Sequence, residues 1–228
     1  MNVNVFLPCR KGSQRVPKKN IKPFAGFKYG LIEIKLKQLI KSKNISKIYL
    51  STNDEEILDY ASSLNNEKII IHKRDDTLSS STTSTDELVA HALELIQEGE
   101  ILWTHVTSPF LTANEYDSII EKYKEEKANS FDSLMTTSLI HGFLWNEVEP
   151  INYDTTKEKW PRTQTIKPIH EINSAVFLAN TEIYKKLNDR IGKKPYLYVL
   201  DKIKGFDIDW EDDFKIAEAM VKSKVVDI

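Results

Sequence analysis

The sequence has a single cysteine, no long apolar run and almost no excess of charge of one sign, and each of these features excludes a class of protein. Cysteine occurs once among 228 residues, as Cys9, which excludes an internal disulfide and a thiolate metal cage. No apolar run approaches the roughly 20 residues that a membrane helix requires. The 32 basic residues face 34 acidic ones, so no overall field would hold the chain to nucleic acid or to a membrane. Since the first strand is predicted to begin near Val3 with no charged and apolar leader before it, we expect a soluble cytoplasmic protein.

Glycine is also scarce, with seven residues, and this bears on phosphate binding. The segment Leu7–Gly26 has Gly12 but no second glycine before Gly26, so neither G-x-G-x-x-G nor G-x-x-x-x-G-K-[ST] occurs there. The same segment holds six cations and no acid between Arg10 and Lys22, directly behind an apolar run. Such a concentration of positive charge in a slightly acidic chain indicates an anion-binding loop.

Short β-branched and aromatic runs alternate with amphipathic stretches of helical period. This alternation predicts an α/β fold, a Rossmann-like, mainly parallel sheet with helices on both faces, in one domain over residues 1–228. Capping boxes at Ser84-x-x-Glu87 and Thr112-x-x-Glu115 mark two helix starts. The predicted strands are Val3–Pro8, Lys47–Ser51, Lys68–His72, Ile101–His105, Ser133–Thr137 and Ser174–Ala179. The predicted helices are Leu31–Lys41, Glu55–Leu64, Glu87–Gln97, Ala113–Glu126, Glu182–Leu187 and Glu211–Lys222.

The stretch Ile140–Ile172 breaks this alternation, because it has aromatic residues and prolines but no sustained helical period. We interpret residues 140–172 as an extended arm inserted into the domain. Apolar side chains such as Trp145 and Trp160 would be exposed to water on an extended arm unless another surface buried them. A second copy of the chain is the simplest partner that could do so. The arm is therefore predicted to serve dimerisation, with an insertion folded back on the same monomer as the alternative.

The basic loop follows the first predicted strand, and in a parallel sheet such loops lie at the carboxyl edge where ligands bind. Gly12 and Ser13 would let backbone N–H groups approach a phosphate, while Arg10, Arg15 and Lys19 offer charge-assisted hydrogen bonds to the remaining oxygens. Charge density alone also fits a basic arm for nucleic acid. The position after the first strand favours a nucleotide.

The order of residues in this loop resembles the signature of CMP-N-acetylneuraminic acid (CMP-sialic acid) synthetases and related sugar-acid cytidylyltransferases. The pattern is R-x-G-S-x-R-x-x-x-K-N, and "STNDEEI", "TSTDELVAHAL", "VTSPF" and "FDIDWEDDFKIAE" follow in the same order. The resemblance implies a nucleotidyltransferase that joins CTP to an acid sugar for surface glycan synthesis, such as lipopolysaccharide or capsule, giving a CMP-sugar and pyrophosphate. It further implies a homodimer.

The resemblance also implies roles for individual residues. The catalytic set would be Arg10, Lys19, Asp207 and Asp209. The nucleotide-binding set would be Arg10, Gly12, Ser13, Arg15, Lys19, Asn20, Arg74, Thr83, Ser84, Asp86 and His105. The acceptor-binding set would be His105, Ser108, Arg162, Gln164 and Asn173, with Arg162 as the cation for a substrate carboxylate. The resemblance thereby implies that the arm, residues 140–172, also serves the acceptor side of the site.

The family's metal ligands fall on Asp207 and Asp209, and the cofactor implied is magnesium (Mg²⁺), which prefers hard oxygen ligands. If Phe206–Asp209 is extended, the two carboxylates point to the same side and Ile208 faces the core. The alternative is that Asp209, with Asp212 and Asp213, serves only the N-terminus of the following helix.

The chain departs from the family pattern mainly on the acceptor side. His105 stands where a glutamine is common, and Thr112 replaces a frequent arginine. A neutral histidine bonded to backbone is the alternative for His105, and the other histidines show no ligand spacing. The candidate acceptors are nonulosonic acids (sialic, legionaminic or pseudaminic acid), then 3-deoxy-octulosonic acid, then a phosphate- or phosphonate-bearing compound. A catalytically inactive nucleotide-binding homologue remains a further alternative.

Overall fold

The computed structural model describes residues 1–228 and contains one seven-stranded sheet. The strands are β1 (Val3–Pro8), β2 (Lys47–Thr52), β3 (Ile69–Lys73), β4 (Glu100–Trp103), β5 (Ser133–Ile140), β6 (Ile169–Asn180) and β7 (Pro195–Leu200). The helices are α1 (Gly30–Lys41), α2 (Glu55–Ser63), α3 (Thr85–Leu95), α4 (Ala113–Ala128), α5 (Thr181–Leu187) and α6 (Glu211–Lys222), with a short 3₁₀ turn at Asp76–Ser79. No helix combines the length and apolar character that a membrane span requires.

The strand order is β3-β2-β1-β4-β6-β5-β7. All pairings are parallel except those of β6, which runs antiparallel to both β4 and β5. The prediction of a mainly parallel sheet is confirmed. Since β1 and β4 are parallel neighbours, their carboxyl ends lie side by side at one edge.

Helices cover both faces of the sheet, as predicted. The larger apolar core takes its helical side chains from α1, α2, α4 and α6, including Leu36, Ile57, Ile120 and Phe214. The smaller core lies on the opposite face, where α3 and α5 contribute residues such as Val89 and Tyr184.

The predicted elements are confirmed, most of them with ends shifted by a few residues, and one strand was missed. The Ser84 capping box is present, because the Ser84 hydroxyl accepts from the Glu87 N–H at 3.1 Å and the Ser84 N–H donates to Glu87 Oε2 at 2.7 Å. Strand β7 was not predicted, although Tyr196 and Tyr198 alternate toward the core while Val199 is exposed.

The predicted arm is shorter than residues 140–172, because both of its ends are paired strands. Ile140 pairs with Ile169 and Ser138 with Glu171, so the irregular part runs from 141 to 168. Within it Trp145 and Trp160 are 54% and 71% exposed, so the single chain leaves them largely uncovered. That the arm forms a dimer contact stays a prediction.

Candidate active site

The basic loop and the loop after β4 meet at the carboxyl edge of the sheet. Between them lies a cavity of about 360 Å³. Arg10, Arg15 and Lys19 line it from one side, and His105 and Thr107 from the other. Ser13 and Asn20 line it as well, so the structure gathers most of the predicted nucleotide-binding residues into one place.

The basic loop is fixed by hydrogen bonds to neighbouring segments. The Cys9 N–H donates to Ser51 O at 2.9 Å, and the Lys11 N–H donates to Asn53 Oδ1 at 2.8 Å. Asn20 is buried, and its Nδ2 donates to Arg10 O at 3.0 Å across the loop. Gly12 has a φ of +83°, a left-handed conformation that glycine adopts at little cost. The loop is therefore shaped before any ligand binds.

Asp207 and Asp209 reach this loop from the far end of the chain. The Ile208 N–H donates to Thr107 O at 2.9 Å and the Ile208 side chain is fully buried, as predicted for an extended segment. Arg15 donates to Asp209 Oδ1 at 2.9 Å, and Lys19 Nζ lies 3.6 Å from the same oxygen. Lys19 Nζ also donates to Ile208 O at 2.5 Å. These contacts join residues that are about 190 positions apart in sequence.

The alternative that Asp209 serves only the following helix does not fit these contacts. It is Asp213 Oδ2 that accepts from the N–H groups of Asp209 and Trp210, at 3.0 and 2.7 Å. The Asp209 side chain turns instead toward Arg15 and Lys19.

Asp207 carries a buried oxygen, Oδ1, that has no hydrogen-bond partner. Burial raises the pKa of this carboxyl, a hydrogen bond from Thr107 opposes that rise, and the charge of Asp209 adds to it. An orphaned carboxylate oxygen beside a second carboxylate is a donor set that suits a hard divalent cation. No group of three or more potential ligands surrounds them. Mg²⁺ commonly takes one or two carboxylates and completes its shell with water and substrate oxygens, so the two aspartates fit it.

His105 is held as a neutral imidazole. Its Nε2 accepts from Trp103 Nε1 at 3.1 Å, and an indole N–H only donates, so the imidazole proton belongs on Nδ1. Burial, together with the charges of Arg190, Lys35 and Lys19, lowers the pKa of His105 to about 3. His105 therefore offers a neutral N–H donor to a ligand across the physiological pH range.

Sequence reasoning missed Lys35, which is fully buried behind the β4 loop. Its Nζ donates to Ser108 O at 2.7 Å and to Tyr116 Oη at 2.6 Å. Burial lowers the pKa of Lys35 to about 7. The sequence did contain an indication that Lys35 is buried. Lys35 follows Ile32 by three residues and precedes Leu39 by four, so it lies on the helix face where an apolar residue is expected.

A second cavity, of about 620 Å³, opens on the other side of the aspartate pair. A bulge in β6 shapes this cavity. Met135 pairs with Phe177 and Thr137 pairs with Ile172, so an advance of two residues along β5 corresponds to an advance of five residues along β6. The extra residues place Asn173 at the cavity wall, where its Nδ2 donates to Ser138 Oγ at 3.0 Å. Asn173 Oδ1 is buried without a partner.

The remaining predicted residues line neither cavity. Arg74 is buried and its Nε donates to Ser79 Oγ at 3.0 Å, while the Ser84 hydroxyl is engaged in capping α3. Thr83 and Asp86 lie beside that cap, and Ser108 is buried under the β4 loop. Arg162 and Gln164 are exposed in the arm. Gly12, in the basic loop, lines neither cavity either, and the roles of all the predicted site residues stay predictions.

Comparison with known proteins agrees with this geometry. Residues 5–225 match the family model described as "Cytidylyltransferase". A pseudaminic acid cytidylyltransferase of Campylobacter jejuni is 25% identical over 226 residues, covering 95% of each chain. An N-acylneuraminate cytidylyltransferase of Danio rerio is 25% identical over 229 residues, which is 96% of this chain and 51% of the relative. The solved structure of a CMP:2-keto-3-deoxy-manno-octonic acid synthetase complexed with CTP shares the fold, with a TM-score of 0.71 over 98% of this chain and all of its own, at 12% identity.

Proposed function

The chain belongs to the cytidylyltransferase family, and from that premise we propose that it transfers the cytidylyl group of CTP to an acid sugar. The products would be a CMP-sugar and pyrophosphate. The relatives named for pseudaminic acid and N-acylneuraminate favour a nonulosonic acid as acceptor. We propose that the resulting CMP-sugar is used for surface glycan synthesis.

The observation that carries this proposal is the meeting of Arg15 and Lys19 with Asp209, next to the unpartnered oxygen of Asp207. A triphosphate needs cations along its length, and an attacked α-phosphate needs charge stabilisation on the opposite side. These contacts bring both kinds of group together at one point. They lie between the cavity of about 360 Å³, which we assign to the nucleotide, and the cavity of about 620 Å³, which we assign to the acceptor and call the acceptor cavity.

In the proposed reaction, an acceptor hydroxyl oxygen forms a bond to the α-phosphorus of CTP. The bond from that phosphorus to the bridging oxygen of the β-phosphate breaks, and the hydroxyl proton passes to solvent. Arg10, Arg15 and Lys19 hold the β- and γ-phosphates and neutralise the charge that develops on the departing pyrophosphate. Asn20 keeps the loop in the shape that presents these groups, through its bond to Arg10 O.

Asp207 and Asp209 would hold Mg²⁺. When bound, this ion would reduce the electrostatic repulsion that the attacking oxygen meets at the α-phosphate. Arg15 and Lys19 now neutralise Asp209, and we expect them to transfer to the phosphates when CTP binds. That transfer would leave Asp209 free to act as an oxygen ligand. Thr107 O accepts the Ile208 N–H at 2.9 Å and so holds the segment that carries Asp207 and Asp209.

The arm supports a proposal of homodimerisation. Trp145, Val148, Ile151 and Trp160 are each more than half exposed, an apolar surface that a second copy would cover. Arg162 and Gln164 lie on the same arm and would then be free to reach a partner's acceptor cavity. Analytical ultracentrifugation should report a dimer, and a monomer at micromolar concentration would contradict this part of the proposal.

The proposed reaction is tested by incubating the protein with CTP, Mg²⁺ and a panel of sugar acids while measuring pyrophosphate release. The panel contains pseudaminic, legionaminic and N-acetylneuraminic acids and 2-keto-3-deoxy-manno-octonic acid. We expect release with at least one acid, lost on addition of a chelator.

Asp207→Asn should reduce that release at least 100-fold. Asp212→Asn is the matched control, because Asp212 is an exposed carboxylate five positions away that contacts only Lys215. Tight CTP binding without turnover across the panel would instead identify a nucleotide-binding protein that has lost catalysis.

A further inference from the structure

The acceptor cavity contains two charged side chains that no other residue neutralises. Its wall includes Asp207, Asp209, Glu171, Lys202 and Asn173. Asp209 is paired with Arg15 and Lys19, and Asp207 has one buried oxygen without a hydrogen-bond partner. Glu171 and Lys202 make no ion pair and no side-chain hydrogen bond anywhere in the chain, so their charges are available to a ligand.

Lys202 is placed at this wall by a tight turn between β7 and the Asp207 segment. Asp201 Oδ1 accepts from the N–H groups of Ile203 and Lys204, each at 2.9 Å, and Asp201 O accepts from the Gly205 N–H at 2.9 Å. The second lysine of the turn is used differently, because Lys204 Nζ pairs with Glu115 and lies 3.8 Å from Asp201. The turn therefore leaves one ammonium group for the cavity.

The balance of charges on the cavity wall indicates which ligand group the Lys202 ammonium would bind. An acid sugar would bring a carboxylate close to Asp207 and Glu171, which repel it. Within one chain, Lys202 is the single lysine or arginine on the wall of this cavity, and Arg162, the cation expected from the sequence, is not part of that wall. Glu171 stands on β6 and would turn a bound carboxylate away from that strand.

We propose that Lys202 binds the carboxylate of the acceptor and thereby sets its orientation toward the α-phosphate of CTP. This inference rests on the proposed function. It names an acidic substrate and the residue of this chain that selects for its charge. The cavity, about 620 Å³, lies within the range of small-molecule sites.

Lys202→Met keeps most of the length of the side chain and removes its charge, and Lys204→Met, two positions along the same turn, is the matched control. With the best acid of the panel, Lys202→Met should raise the acceptor KM at least tenfold and leave the KM for CTP within twofold. Lys204→Met should leave both within twofold. The primary amide of the same acid should lose at least tenfold in kcat/KM with the unaltered protein and no further activity with Lys202→Met, because the two changes remove the same contact.

Unchanged acceptor KM in Lys202→Met, or losses that simply multiply in the variant with the amide, would overturn the inference and leave the proposed function intact. Calorimetric binding of each acid of the panel in the presence of a nonhydrolysable CTP analogue provides a readout without turnover. Binding of one of these acids that Lys202→Met abolishes, in a protein that turns over none of them, would support the inference and refute the proposed function. No binding of any panel acid to the unaltered protein would overturn both.

Discussion

The buried ammonium of Lys35 makes a quantitative prediction about how stability depends on pH. In the folded chain its pKa is lowered to about 7, because the side chain is fully buried. In the unfolded chain a lysine titrates near about 10.4. Between these two values the unfolded state binds a proton that the folded state does not, so the free energy of unfolding rises with pH.

The slope approaches about 1.4 kcal/mol for each pH unit in the middle of that window. Between pH 7.5 and 9.5 Lys35 should therefore add about 2 to 3 kcal/mol to the free energy of unfolding, after allowance for partial titration at both ends. Lys35→Met removes the titrating group, and it should remove this part of the slope.

The assay is urea unfolding at pH 7.5, 8.5 and 9.5, followed by tryptophan fluorescence. Lys41→Met is the control, because Lys41 lies on the same helix but is exposed. The difference in unfolding free energy between the unaltered protein and Lys35→Met should grow with pH, while the difference for Lys41→Met should stay constant. Parallel curves for the unaltered protein and Lys35→Met would refute the reasoning, since they would mean that Lys35 is charged in the folded chain at pH 7.5.

Two further predictions concern the site itself. A Cβ at Gly205 would lie 2.6 Å from Ser138 Oγ and 2.7 Å from Asn173 Nδ2, so Gly205→Ala should displace Asn173 and lower the free energy of unfolding by about 1 to 3 kcal/mol. Denaturant unfolding checks it against Gly142→Ala, where a Cβ meets nothing within 4 Å, and equal stabilities would contradict the expected crowding. Because the pKa of His105 is lowered to about 3, its imidazole NMR signals should not shift between pH 5 and 9, whereas a midpoint near 6.5 would show that the group titrates normally.

Much of the fold could be predicted from the sequence because burial leaves a local period. The six predicted strands and six predicted helices all occur, and Val3–Pro8 and Glu211–Lys222 have the predicted ends. Strand β7 was not predicted because it lies at the edge of the sheet. Most of its side chains are half-buried there, so the alternation between apolar and polar residues is weak. The antiparallel direction of β6 was likewise invisible, since a period of two is the same in either direction.

For the site, the sequence by itself determined which chemical groups are present. The cations of the basic loop and the spacing of Asp207 and Asp209 are local features, and their resemblance to one family indicated CTP. Ile208 faces the core as the alternation of an extended segment requires.

Only the tertiary structure decided which of these groups meet. Arg15 and Asp209 are 194 positions apart, and no local period records a contact at that distance. The β6 bulge that places Asn173 at the cavity wall, the buried position of Lys35 and the free ammonium of Lys202 depend on how strands and loops pack against one another. A sequence pattern reports whether a side chain is buried, whereas its partners are fixed by the arrangement of the whole sheet.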